Sequence, residues 1–95
     1  MNRKRISNQL TAIEQDLVGR LNGVERIAVS MSLFSDGSGT FMLNYAENSS
    51  KASVVKIAVN FDPIDIQSGL VSARSHKQAL IIFTERCKMF TTKHR

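Results

Sequence analysis

The first apolar pattern in the chain has helical spacing. Leu10 and Leu17 stand on one stripe with further apolar residues three or four positions apart, and polar residues fill the other positions. This spacing predicts an amphipathic helix over residues 7–22. Ser7, or the asparagine after it, is suited to cap the start of the helix, and Gly23 is suited to the left-handed conformation that ends helices.

After this helix the apolar spacing changes to every second residue. Three alternating runs, at residues 27–34, 41–45 and 54–61, are separated by turn-forming residues at 36–39 and 47–50. Alternation of this kind predicts strands, and the two short connections predict an antiparallel β-meander with one apolar face. The predicted core face contains Ile27, Val29, Met31, Leu33, Phe41, Leu43, Tyr45, Val55, Ile57, Val59 and Phe61.

The segment after the third strand has two interpretations. Pro63 ends the strand, because proline has no amide hydrogen to give to the ladder. Ile64, Ile66 and Leu70 then favour either a short fourth strand or an extended segment that crosses the molecule.

A second helix is predicted over residues 76–91. Ser75 and Gln78 have the spacing of a capping box, and apolar residues follow at helical spacing as far as Phe90. The alternative is a buried strand over residues 79–84, where β-branched and aromatic side chains are frequent. The cap and the later spacing favour the helix.

These elements together predict an α+β two-layer sandwich. An antiparallel sheet of three or four strands is covered on one face by an N-terminal and a C-terminal helix, in the order α-β-β-β-(β)-α. A chain of 95 residues is long enough for one core, which predicts a single domain over residues 1–95. Residues 1–6 are expected to form a flexible basic arm, and residues 92–95 are expected to be frayed.

Basic residues are concentrated at the two ends of the chain. The formal net charge is +5, from 13 Lys and Arg against 8 Asp and Glu. Residues 1–5 carry +3, residues 6–69 carry −3, and residues 70–95 carry +5. This asymmetry suits a polyanionic partner, although basic ends also serve solubility alone. The candidate phosphate contacts are Arg3, Lys4, Arg5, Arg74, Lys77, Arg86 and Lys88.

The sequence lacks the residue arrangements that are typical of catalysis or of metal binding. Cys87 is the only cysteine and falls on the predicted apolar stripe, which favours a buried and unreactive thiol. His76 is expected to be exposed in the first turn of the second helix, and His94 stands at the frayed end. We therefore expect no catalytic residue, no metal and no cofactor.

The lone thiol is also typical of a reducing compartment. The sequence shows neither the apolar segment of a signal peptide nor an apolar run long enough to cross a bilayer. These features predict a cytoplasmic protein that does not contact a membrane.

The second face of the predicted sheet has almost no charge, since Lys56 is its one charged residue. Depletion of charge is typical of the centre of a protein interface. The hypothesis is that this face, or the unpaired edge of a strand, packs against a partner or a second copy. The alternative is that small polar residues are tolerated on a solvated face. The candidate interface residues are Ser30, Ser32, Phe34, Met42, Asn44, Ala58 and Asn60.

The favoured hypothesis for function is a small, non-catalytic macromolecule-binding module. It would act through protein–protein contacts with a protein partner or with a second copy of itself. The alternative is a nucleic-acid-associated accessory protein, whose basic termini and C-terminal helix would bind phosphates without sequence specificity. A third hypothesis is a small enzyme with a pocket formed between subunits.

Overall fold

The chain folds as a helix, three antiparallel strands and a second helix, which is the predicted α+β architecture. The computed structural model describes residues 3–20, 25–47, 53–64 and 73–93. Its elements are α1 (Arg3–Arg20), β1 (Glu25–Leu33), β2 (Gly39–Glu47), β3 (Val54–Phe61) and α2 (His76–Lys93).

The first helix begins earlier than its cap residues indicate. α1 starts at Arg3, so Ser7 lies inside the helix, and its carbonyl oxygen accepts a hydrogen bond of 3.0 Å from the Thr11 hydroxyl. The prediction of a flexible arm is therefore wrong for residues 3–6. Ile6 explains the difference, because it lies one turn before Leu10 and is buried with it in the core. The predicted helix end at residues 21–23 lies outside the described residues.

The three strands form one sheet in the order β1-β2-β3, with both neighbouring pairs antiparallel. β1 and β2 pair without interruption from Glu25 opposite Glu47 to Leu33 opposite Gly39. The turn between them places Gly37 at φ 89°, a left-handed conformation that glycine adopts without strain. The first predicted turn is confirmed, whereas the second, at residues 48–50, lies outside the described residues.

The third strand contains an irregularity that reverses its alternation near its start. Ile57 pairs with Leu43, but the next pair joins Val55 to Asn44, so Lys56 is an extra residue in a β-bulge. Residues opposite each other in an antiparallel pair share a face, so Val55 lies on the Asn44 side of the sheet. The prediction that Val55 belongs to the core is therefore wrong, and its side chain is 52% exposed.

The second helix is confirmed and the alternative of a strand over residues 79–84 is wrong. The Ser75 Oγ accepts a hydrogen bond of 3.2 Å from the Gln78 backbone N–H. In return, the Gln78 Oε1 accepts one of 3.1 Å from the Arg74 N–H. The Ser75 bond is the half of the predicted capping box that explains why α2 starts at His76, whereas the Gln78 side chain bonds the N–H of Arg74 and not that of Ser75 itself. The helix continues to Lys93, which is past the predicted end at residue 91.

Both helices pack against the same face of the sheet, α1 on β1 and α2 on β3 and β2. Phe41 lies at the centre of the core, with its ring centroid 5.6 Å from that of Phe61 and 5.9 Å from that of Phe83. Tyr45 meets Phe90 edge-on at 5.7 Å near one end of the sheet. The buried core residues are Ile6, Leu10, Leu17, Phe41, Leu43, Ile57, Val59, Phe61, Ala73, Ala79, Phe83, Cys87 and Phe90.

The predicted fourth strand falls mostly on residues 65–72, outside the described part of the chain. Ile64 is described and is exposed. Beyond the gap, Ala73 forms an isolated parallel bridge with Phe61, and its carbonyl oxygen accepts a hydrogen bond of 3.0 Å from the Asp62 N–H. The chain therefore returns to the outer side of β3 just before α2 begins.

Candidate functional site

The outer side of β1 is the first of three candidate surfaces, and we call it the β1 edge (Glu25–Leu33). Within the described ranges no other segment pairs with this side of the strand. Native edge strands are commonly protected by proline, lysine or a bulge, because their free amide and carbonyl groups accept another strand. The β1 edge contains neither proline nor lysine, and its register with β2 has no bulge.

The core is incomplete along this edge. Val29 and Met31 are only half-buried, although Leu43 and Phe41 opposite them on β2 are fully buried. A groove of about 310 Å³ separates α1 from the β1 edge and exposes part of these side chains. The residues that line the groove are Arg3, Ile6, Ser7, Leu10, Thr11, Glu14, Val29, Ser30 and Met31.

The second surface is the sheet face away from the helices, which we call the open face. It carries all seven candidate interface residues, and Val55 joins them because of the bulge. Phe34 is 60% exposed just past the end of β1, and the Met42 side chain is half-buried between Ser30 and Ala58. The accessibility of the seven varies: Ser30, Ser32, Met42 and Asn44 are half-buried, whereas Phe34, Ala58 and Asn60 are exposed.

The third surface lies between the helices. Residues 5–9 of α1 line one space with residues 76–81 of α2, and residues 12–17 line the next with residues 84–88. The two helices therefore run side by side in the same direction, with their N-terminal ends at one end of the molecule. A cleft of about 610 Å³ opens there, and we call it the helix cleft. It is lined by Arg5, Ile6, Gln9, His76, Lys77, Leu80 and Ile81.

The helix cleft divides the seven candidate phosphate contacts into two groups. Arg5 and Lys77 line it directly, although they are far apart in the sequence. Arg3 and Lys4 share the first turn of α1, and Arg74 lies in the turn before α2. Arg86 and Lys88 are remote from it, because they lie more than two turns further along α2. Lys88 is also 3.9 Å from Glu85, with which it forms an exposed ion pair.

The described cysteine and histidine, Cys87 and His76, lie three turns apart on α2. Cys87 is buried, and burial raises the pKa of its thiol from 9.0 to about 12, so the thiol is protonated at neutral pH. His76 is half-buried, which corrects the expectation that it is exposed. Burial, together with the positive charge of Lys77, lowers the pKa of His76. His94 lies outside the described residues.

No cluster of three or more His, Cys, Asp or Glu side chains suitable for a metal ion occurs in the described ranges. Within these ranges, neither helix is long and apolar enough to cross a membrane. Comparison with family models, with curated proteins and with solved structures finds no match to this chain. The surfaces described above are therefore the basis for assigning a function.

The sequence indicated the open face, because its residues follow from the alternation of the strands. The incomplete core at the β1 edge and the helix cleft were missed. The lack of proline and lysine over residues 27–33 could have indicated that the β1 edge is unprotected. No local signal predicts the second, since it requires two helices from opposite ends of the chain to lie side by side.

Proposed function

We propose that this chain is a non-catalytic protein-binding module that assembles with a second copy of itself through the β1 edge. The observation that carries the proposal is the half-buried row of apolar side chains beside an edge strand that no described segment pairs. A second strand added there would satisfy the free backbone groups and cover the apolar row at the same time.

Antiparallel pairing of two β1 edges is compatible with this pattern. If all nine residues overlap, Val29 lies opposite its own counterpart on the two-fold axis. Because opposite residues share a face, the helix-covered face and the open face would each continue from one copy into the other. The same register places Arg26 opposite residue 32 of the second copy, at two symmetric positions.

Charges on α1 support a second copy as the occupant. Arg3 and Glu14 stand at the two ends of the groove beside the β1 edge. Each is about 8 Å along the helix axis from the midpoint between them, at 1.5 Å per residue. A two-fold axis near that midpoint brings Arg3 of one copy level with Glu14 of the other. Neither residue has an ion-pair partner among the residues that the structure describes.

Further observations support a binding role without catalysis. The Cys87 thiol is buried and protonated, so it is not available as a nucleophile. It is the only cysteine, and a free thiol suits the reducing cytoplasm in which we expect the module to act. The open face, with its small uncharged residues, is then a surface on which the assembled module can bind a further protein.

Sedimentation equilibrium tests the assembly. The monomer has a mass of 10.6 kDa, so we expect about twice that value as concentration rises through the micromolar range. Ser32→Lys places a lysine opposite Arg26 twice in the dimer and should weaken it about tenfold, because opposite like charges are destabilising. Ser32→Glu is the matched control, and it should leave the dimer intact or tighten it.

A charge exchange on α1 tests the orientation of the two copies. Glu14→Lys should weaken the dimer about tenfold, since it replaces two attractive pairs by two repulsive ones. Combining it with Arg3→Glu should restore the dimer. A chain that stays at 10.6 kDa at millimolar concentration contradicts the proposal. If a dimer forms and its affinity is unchanged by all of these substitutions, it uses another surface, which rules out the β1 edge.

A further inference from the structure

The helix cleft concentrates positive charge contributed by both ends of the chain. Arg5 on α1 and Lys77 on α2 face the same space, and no Asp or Glu is among the described residues that line it. Lys4 and Arg74 add positive charge within one turn of the lining residues. Positive charges that share one space attract an anion to it.

The floor of the cleft is apolar, which strengthens hydrogen bonds to a charged ligand oxygen. Ile6 is buried below the mouth, and Leu80 is half-buried on the opposite helix, so the basic groups stand above an apolar floor. Hydrogen bonds from ionised donors are stronger in such surroundings than in bulk water. The positive ends of two helix dipoles point in the same direction and add to the attraction for an anion.

His76 gives the cleft a group that responds to the charge of its ligand. It lines the cleft with Lys77 on its own helix and Arg5 on α1, and the positive charges that act on it are those of the N-terminal amino group and of Lys77. Partial burial, with the charge of Lys77, lowers its pKa, and the ring is therefore mostly neutral at pH 7 in the free protein. A bound anion would reverse this effect and favour the protonated ring.

We propose that the helix cleft binds a phosphate group, with Arg5 and Lys77 donating hydrogen bonds to its oxygens. Arginine provides a planar pair of donors and lysine a compact charge, and both are common ligands of phosphate. His76 becomes a third donor when it takes up a proton. The site is independent of the β1 edge, because Arg5 and Arg3 line different grooves of α1.

The same chemistry is offered by free phosphates and by the backbone of a nucleic acid. Titration with pyrophosphate, followed by calorimetry and by the amide resonances of the cleft residues, tests the first source. An eight-nucleotide single strand tests the second: displacement of bound pyrophosphate by the strand assigns the cleft to a nucleic-acid backbone. Failure of displacement assigns it to a free phosphate.

Matched charge-removing substitutions distinguish a defined phosphate site in the helix cleft from general electrostatic attraction between a basic protein and an anion. Lys77→Gln and Arg5→Gln should each weaken pyrophosphate binding about tenfold, the loss of one charge-assisted hydrogen bond. Arg86→Gln removes the same charge from the same helix as Lys77→Gln, outside the cleft, and should change the affinity less than twofold. Equal losses from Lys77→Gln and Arg86→Gln, or no binding of either probe, would overturn the proposal.

The protonation of His76 provides a second readout. Its imidazole proton resonances should report a higher pKa when the cleft is saturated with pyrophosphate, and Lys77→Gln should reduce that change. A pKa that stays constant at saturation places the phosphate elsewhere and contradicts the proposal. The melting temperature of each variant checks that it is folded. All of these results are independent of whether the chain dimerises.

Discussion

The two edges of the sheet are constructed differently. At the β3 edge, a bulge inserts Lys56 into the strand, and Ala73 returns to form a bridge with Phe61. The β1 edge has an uninterrupted register with β2 and contains neither proline nor lysine. Bulges, lysines and covering segments are the devices by which native sheets prevent a further strand from pairing. Among the described residues, this comparison favours the β1 edge for the self-association proposed above.

The core under the two helices differs in the same way as the two edges. α2 buries Phe83, Cys87 and Phe90 completely or nearly so against β2 and β3. α1 leaves the β1 side chains below it only half-buried. Within the described residues, the core is therefore more completely buried beside β3 than beside β1.

Thiol reactivity offers the sharpest test of this contrast. With a pKa of about 12 instead of 9.0, Cys87 should react at pH 8 about a thousandfold more slowly than the same thiol in the unfolded chain. Met31→Cys, made together with Cys87→Ala, should react much faster, because that position is half-exposed at the groove. Labelling followed by mass spectrometry in dilute solution compares the two. Equal labelling rates of the two thiols would show that position 31 is as well buried as Cys87, which contradicts the contrast.

Gly39 lies on the central strand β2, between Leu33 on β1 and Phe61 on β3. Its substitution should be strongly destabilising. A Cβ at this position would meet the Ser32 carbonyl oxygen on β1 and lie 2.6 Å from Phe61 Cζ on β3. Gly39→Ala should lower the free energy of unfolding by about 3 kcal/mol, because the backbone contact cannot relax. Urea denaturation measures it. Gly19→Ala is the control: it meets open space in α1 and should stabilise the helix by up to about 1 kcal/mol.

Placing one lysine on each edge distinguishes them directly. Ser30→Lys puts a charge at the middle of the β1 edge and should weaken self-association about tenfold. Val55→Lys puts the same charge on the β3 edge, where the side chain is already 52% exposed, and should leave the mass unchanged. Sedimentation of both variants tests the assignment. A dimer lost only with Val55→Lys would transfer the interface to the β3 edge.

A small pH effect is expected where α2 begins, beside the β3 edge. Because the pKa of His76 is lowered in the folded protein, the unfolded chain binds the proton more readily. Stability from this group is therefore complete above the unfolded pKa, about 6.5, and falls as the pH drops through the lower folded value. Thermal unfolding of the native chain and of His76→Gln between pH 5 and 8 measures the difference. A variant with the same pH profile would contradict it.

The order of elements, the core face and the α2 cap could all be predicted from local pattern. Phe41, Val59 and Phe61 are buried as their alternation predicts, and Ser75 caps α2 by accepting a hydrogen bond from the Gln78 N–H, as their spacing indicates. Where the pattern was incomplete the prediction failed. Ile6 was not included in the stripe of α1, and nothing in the alternation of β3 signals the extra residue at Lys56.

The sequence by itself determined which face the strand residues take outside the β3 bulge, and where α2 starts, because periodicity and capping act over a few neighbouring residues. Only the tertiary structure decided which edge stays open and which charges meet. Arg5 and Lys77 are separated by most of the chain, and they share a cleft because α1 and α2 lie side by side on one sheet. That arrangement arises from packing between distant segments, which no short window of sequence records.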